Sequence, residues 1–219
     1  PAFFISGQVN TKEGLSNFKS KPRQTGFQEM PVAKLFEDVV KKSLYVPNLS
    51  ELEGILEDLL IELKTPRYGP VLMDLPVDLQ MTTIEDVGIN LITHSRRVTP
   101  QYDISEYIYK SKRPVILFGH GVKLAGAEKE AMEFVEKTKI PFLVSWGAFD
   151  ICATDHPLRI GSPGVYGDRC ANYAVQNADL IISIGSRLDS RQIGGSGPMF
   201  SIHSKKIMVD IDTEEINKM

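Results

Sequence analysis

The sequence predicts an α/β protein built on parallel sheets. Short apolar runs alternate with segments of helical periodicity along the chain, the pattern of strands joined by crossover helices. The run Asp179-Leu180-Ile181-Ile182-Ser183-Ile184 is apolar without alternation, as a strand covered on both faces is. Glycines follow several of these runs directly, at Gly7, Gly119 and Gly185. Those are the carboxyl ends of strands, where open α/β sheets bind ligands.

The elements follow in order. Residues 2–6 read as a strand ending at Gly7, and a polar loop runs from Asn10 to about Gly26. Residues 31–42 read as a helix, with Val32, Leu35, Phe36, Val39 and Val40 on one face. A short strand is expected at 43–46. The next helix is expected to be capped by Ser50, with Glu53 completing a capping box, and it buries Leu52, Ile55, Leu56, Leu59, Leu60 and Leu63. Strand 70–75 stops at Pro76 and closes a first section, 1–80. Residues 81–102 are polar and weakly periodic and read as a linker that exposes Arg96-Arg97. The second section, 103–219, opens with a short helix. Strand 114–118, helix 124–138, strand 141–145, a helix after Gly164, strand 179–184, strand 206–211 and a last helix opened by Asp212 or Thr213 follow.

Composition sets further bounds. Hydrophobic residues make up 42% and charged residues 24% of the 219, ordinary for a globular protein. The formal charge of −3 and a pI near 5.9 give no reason to expect nucleic acid as a partner. No apolar run approaches the roughly 20 residues of a membrane helix, so no membrane partner is expected. The two cysteines, Cys152 and Cys170, lack the number and spacing of a disulfide framework or zinc site. A reducing cytoplasm is therefore expected. His94, His120, His156 and His203 are scattered, and no metal site is assigned. Pro1 leads directly into a core-like strand, from which a piece cut inside a domain of a longer chain is expected.

The richest stretch runs from Gly161 to Arg191. It holds the turn Gly161-Ser162-Pro163-Gly164, a helix, the buried strand, and the turn Gly185-Ser186-Arg187-Leu188-Asp189-Ser190-Arg191. Gly185 admits close backbone approach, and Arg187 and Arg191 offer fixed charge and forked donors to phosphate oxygens. A plain strand and surface loop, with an ion pair to Asp189, is the alternative for the same residues. Gly119-His120-Gly121 lacks the G-x-G-x-x-G spacing, and Ser145-Trp146 stand where an acidic residue would end the next strand, which disfavours an NAD-type site. A nucleotide diphosphate across these turns needs backbone N–H groups aimed at it. Asp210 is placed to accept from ribose hydroxyls, or, with Asp212, to cap a helix. In the first section Phe27 and Gln28 line a pocket or staple a loop, and Glu29 complements a helix amino terminus. No serine elbow, Cys/His pair or P-loop is present.

Taken together, the chain resembles the acetolactate synthase-like branch of the thiamine-diphosphate enzymes. The matching stretches are Ser6-Gly7-Gln8-Val9, Phe27-Gln28-Glu29, residues 69–78, residues 113–121, residues 171–175, residues 178–182, residues 185–191 and Val209-Asp210-Ile211-Asp212. The resemblance implies the later part of a pyrimidine-binding α/β domain at 1–80. It implies a Rossmann-like central domain of the deoxyhypusine-synthase-like NAD/FAD-binding type at 103–219. It implies a carboligase that decarboxylates a 2-keto acid such as pyruvate and transfers the carbanion to a second carbonyl, with a 2-keto acid decarboxylase or a non-catalytic nucleotide-binding module as alternatives. Thiamine diphosphate and Mg2+ are implied cofactors. Their glutamate and metal motif are expected outside this sequence, so these residues alone are expected to be inactive. A homodimer or homotetramer is implied, as is a place in branched-chain amino acid biosynthesis.

For the central domain the resemblance implies FAD in a structural role, while related members bind ADP, a CoA moiety or nothing. The flavin-contacting positions carried over are Gly119, His120, Gly121, Ser145, Trp146, Gly161, Ser162, Pro163, Gly164, Gly185, Ser186, Arg187, Asp189, Arg191, Asp210 and Ile211, with Arg67 reaching in from the first domain. Phe27 and Gln28 match residues beside the reacting substrate. Two departures stand out. Pro163 removes an N–H donor where the family has a Gly-Met-His-Gly turn, and the loop 11–23 is longer than usual.

Overall fold

The computed structural model describes residues 1–14, 18–20, 22–84, 102–195 and 197–218. The chain divides into two compact units, Pro1–Val98 and Thr99–Met219. Most of the expected linker, including Arg96-Arg97, lies outside the described residues, as does His94.

The first unit carries a parallel three-stranded sheet, β1 (Phe3–Gln8), β2 (Lys42–Tyr45) and β3 (Val71–Pro76), in the order β1-β3-β2. The central strand β3 is buried at every residue but Leu75. Helix α2 (Leu49–Lys64) sets Leu52, Ile55, Leu59 and Leu63 against Val46, Val71 and Met73. Its cap differs from the expected Ser50/Glu53 box. Asn48 is the N-cap, accepting from Glu51 N at 3.1 Å, while its own amide donates to Glu51 Oε1 at 2.7 Å. The cap therefore sits two residues earlier, and Glu51 answers the Asn48 side chain rather than its backbone N–H as in a capping box. The helix expected over 31–42 is only α1 (Val32–Leu35). Lys41 N already donates to Pro70 O at 2.7 Å, so pairing with β3 overrides helical propensity before the apolar face is complete. Helix α3 (Val77–Gln80) follows β3.

The second unit carries a parallel five-stranded sheet: β4 (Pro114–Phe118), β5 (Phe142–Val144), β6 (Arg159–Gly161), β7 (Leu180–Ile184) and β8 (Lys205–Val209). The order is β6-β5-β4-β7-β8, with α4 (Ser105–Lys110) ahead of it. Strand β6 was not foreseen, because its three residues are half-buried and carry no apolar run. The expected helix 124–138 is two, α5 (His120–Leu124) and α6 (Glu128–Thr138), parted at Gly126, whose φ is +62°. Helices α7 (Arg169–Asn177), α8 (Ser190–Ile193) and α9 (Thr213–Asn217) complete the unit. One core side joins Ile116, Phe118, Phe142, Val144 and Ile182 to Val135 of α6. The other joins Val115, Leu117, Leu143 and Ile181 to Ala171 and Val175 of α7.

Asp179 locks the amino-terminal end of this sheet. Its carboxylate accepts from the Ser111 hydroxyl, from Lys112 N at 2.7 Å and from Arg113 N at 2.9 Å. Burial works against the charge, but those bonds and the Arg113 guanidinium outweigh it and hold the carboxyl down to about 2. The carboxyl-terminal edge is left for the turns. Strands succeed one another outward from β4 in both directions, so β4 and β7 flank the point where the winding reverses.

Candidate functional site

At that reversal two glycine turns lie directly on one another. Gly119 N donates to Ile184 O at 2.9 Å, Gly121 N to Gly185 O at 2.9 Å, and Gly185 N to Val209 O at 2.8 Å. A Cβ on Gly119 would stand 2.1 Å from Gly185 O, and one on Gly185, at φ +61°, would stand 2.7 Å from Val122 N. These glycines are thus required by backbone meeting backbone, and their own N–H groups are engaged within the sheet edge.

The neighbouring turns behave alike. Ser145 N donates to Phe118 O at 2.8 Å, and His120 Nδ1 lies 2.8 Å from Gly147 O. In the turn after β6, Ser162 N donates to Asp168 Oδ2 at 2.8 Å, and Asn172 holds Gly164 by its N–H at 2.8 Å and its carbonyl at 2.9 Å. Pro163 is buried. A Cβ on Gly161, at φ +141°, would stand 2.4 Å from Asp168 Oδ2. Ser186 is buried, with its hydroxyl donating to Gln192 Oε1 at 3.0 Å. Asp189 caps α8 by accepting from Arg191 N at 2.8 Å. Asp210 accepts from Asp212 N, and Asp212 caps α9 through Glu214 N.

What remains facing outward is a set of side chains. Trp146 and Tyr166, 54% and 69% exposed, stack with centroids 6.2 Å apart and planes inclined by 25°. The Arg191 guanidinium lies 5.5 Å from the Tyr166 ring centre and donates to its hydroxyl at 3.3 Å. Val165 N donates to Arg191 O at 2.8 Å, which ties the two turns behind this ladder. His120, Arg187 and Ile211 are also exposed. The edge can therefore take a planar ring on aromatic faces and an anion on arginines. Sequence reasoning missed Tyr166; an aromatic between Gly164 and Gly167 in a polar turn was the available signal. It also missed Leu188, at φ +48° and fully buried, which plugs the core with Leu117, Leu143 and Phe200 between the exposed Arg187 and half-buried Asp189.

Within the first unit, Phe27 and Gln28 form an exposed turn. Phe27 is 87% exposed, and Gln28 adopts φ +64°, a left-handed conformation rare outside glycine. Glu29 accepts from Thr25 N at 3.0 Å, the Thr25 hydroxyl at 3.0 Å and Gly26 N at 3.2 Å, so its carboxylate organises this turn rather than a helix end. Arg67 is exposed in this unit. Among the described residues no three His, Cys, Asp or Glu side chains gather as metal ligands, and no helix is long and apolar enough to cross a membrane.

The sequence profile described as the thiamine pyrophosphate enzyme central domain matches residues 103–219. The chain belongs to the thiamine pyrophosphate enzyme family. Relatives extend the match across both units. A probable acetolactate synthase large subunit of Methanococcus aeolicus is 32% identical over all of this chain and 37% of its own length. The acetolactate synthase isozyme 2 large subunit of Escherichia coli K12 is 33% identical over 88% of this chain and 36% of its own. The 2-hydroxyacyl-CoA lyase 1 of Dictyostelium discoideum is 31% identical over 88% of this chain and 34% of its own. The chain thus spans just over a third of the relatives it matches. The β4–β7 edge lies within the matched central domain, and the Phe27-Gln28 turn precedes it.

Proposed function

We propose that this chain is part of a thiamine-diphosphate-dependent carboligase of acetolactate synthase type. It takes a 2-keto acid such as pyruvate, works in the cytoplasm, and assembles as a homodimer or homotetramer. Bound thiamine diphosphate, with Mg2+, supplies the electron sink that stabilises the carbanion left by decarboxylation. The observation that carries the reading is the clamped turn that projects Phe27 into the open. An apolar ring held away from any core, beside the polar amide of Gln28, suits the wall of a pocket for a small keto acid. Phe27 limits water beside the reacting carbon, and Gln28 offers an amide to the carbonyl or carboxylate of the acceptor.

The central unit takes a nucleotide, FAD or ADP, in a structural role. The donor set fits that group through side chains: a ring against Trp146 and Tyr166, phosphates on Arg187 and Arg191. The likeness to a 2-hydroxyacyl-CoA lyase favours one second reading, a lyase of 2-hydroxyacyl-CoA substrates. Product analysis of the full-length protein with pyruvate, thiamine diphosphate and Mg2+ separates the two. A carbon–carbon bonded product, with kcat/KM lowered at least about 10-fold by Phe27→Ala, is expected. A protein that ignores pyruvate but cleaves a 2-hydroxyacyl-CoA sinks the first reading.

A further inference from the structure

The turn that carries Phe27 and Gln28 is held from the sheet as well as from within. Ser6, Asp74 and Tyr45 stand in register across β1, β3 and β2. Asp74, on the central strand, is only 1% exposed. Its Oδ2 accepts from Gln8 Nε2 at 3.0 Å, and its Oδ1 has no partner among the described residues. The second N–H of the Gln8 amide donates to Met30 O at 2.5 Å, while Gln8 Oε1 accepts from Val9 N at 2.9 Å. Both donors and one acceptor site of this side chain are thereby committed.

A carboxylate is an acceptor only. Placed at Asp74, it can meet the NH2 end of Gln8 and not the carbonyl end, so it fixes which way the amide points. That orientation is the one that reaches Met30 O, directly after the turn. Leucine on a buried central strand would pack without the desolvation cost of a carboxylate, so the buried acid needs a reason beyond packing. The unfavourable φ of Gln28 needs one too, since such a conformation persists only where its surroundings hold it.

We propose that Gln8, aimed by Asp74, is a positioning residue that sets the Phe27-Gln28 turn toward the substrate. Glu29 closes the turn from inside, and Gln8 anchors its exit to the rigid centre of the sheet. The link to substrate rests on the carboligase reading above; the anchoring of the turn does not.

The test is Gln8→Met in the full-length protein, which removes the donors without adding charge beside Asp74. Amide hydrogen exchange is followed in residues 24–31 and, as reference, in 71–76. Exchange at least 10-fold faster in 24–31, with 71–76 unchanged, is expected. A fall in kcat/KM for pyruvate, with the protection of 71–76 showing the sheet intact, is expected with it. Unchanged exchange in 24–31 overturns the proposal. A wild-type protein inert toward pyruvate overturns the carboligase reading alone, since the exchange result stands without turnover. If Gln8→Met does not fold, Gln8→Asn, one methylene too short to span Asp74 and Met30, is measured in the same way. If that variant also loses protection in both segments, Gln8 supports the fold and not the turn, and the proposal fails.

Discussion

Asp74 shows how much chemistry one residue can add to a strand. Burial pushes its carboxyl above the ordinary range, and the hydrogen bond from Gln8 only partly offsets this. A carboxyl raised in the folded state holds its proton more tightly there than in the unfolded chain. Its contribution to stability is therefore complete below the unfolded pKa and is lost as pH rises through the folded one. Asp74→Asn removes this dependence and keeps an oxygen that accepts from Gln8. The melting temperature of the variant relative to wild type should accordingly climb over the range that begins near the ordinary carboxylate pKa of about 4 and ends at the raised folded one. Melting curves across that range check it, and a constant difference would show that Asp74 is not raised. Leu188 shows the opposite economy. It accepts an unfavourable φ so that an apolar side chain enters the core while Arg187 stays outside.

Among elements, the sheet edge turns on glycine used in two different ways. Gly119 meets backbone, which cannot swing aside. Gly119→Ala should therefore destabilise the second unit by about 1–3 kcal/mol through overpacking. Gly54 lies within α2, exposed, with nothing among the described residues within 4 Å of its would-be Cβ. Gly54→Ala should stabilise the first unit by about 0.5–1 kcal/mol. Denaturant melts of the two variants should shift in opposite directions. Sequence separated the two by element, Gly119 closing a strand and Gly54 inside a helix, but not the backbone that Gly119 meets. The alternation of strands and helices was legible because buried parallel strands such as β4 and β7 are near-continuous apolar runs. Strand β6 was not, since Arg159-Ile160-Gly161 joins the sheet through backbone pairing at its edge. The glycine turns were legible as a cluster, but not the engagement of their N–H groups, because Asp168, Asn172 and Val209 reach them through tertiary contacts.

Across the whole molecule, the two units have unequal cores. In the first, Val46, Leu59, Val71 and Met73 form the buried cluster, while Phe4, Ile5, Leu35 and Val39 remain exposed. In the second, both faces of the sheet are packed, one around Phe118, Phe142 and Val135 and the other around Leu117, Leu143 and Val175. Stability from burial scales with apolar area removed from water, at about 25 cal/mol per Å2. The second unit should therefore outlast the first, and heating the 219-residue chain should give two calorimetric transitions. Val71→Ala should lower the first transition and leave the second in place. Leu188→Ala should lower the second by about 2–4 kcal/mol and leave the first in place. One transition moved by both substitutions would mean that the units share their cooperativity.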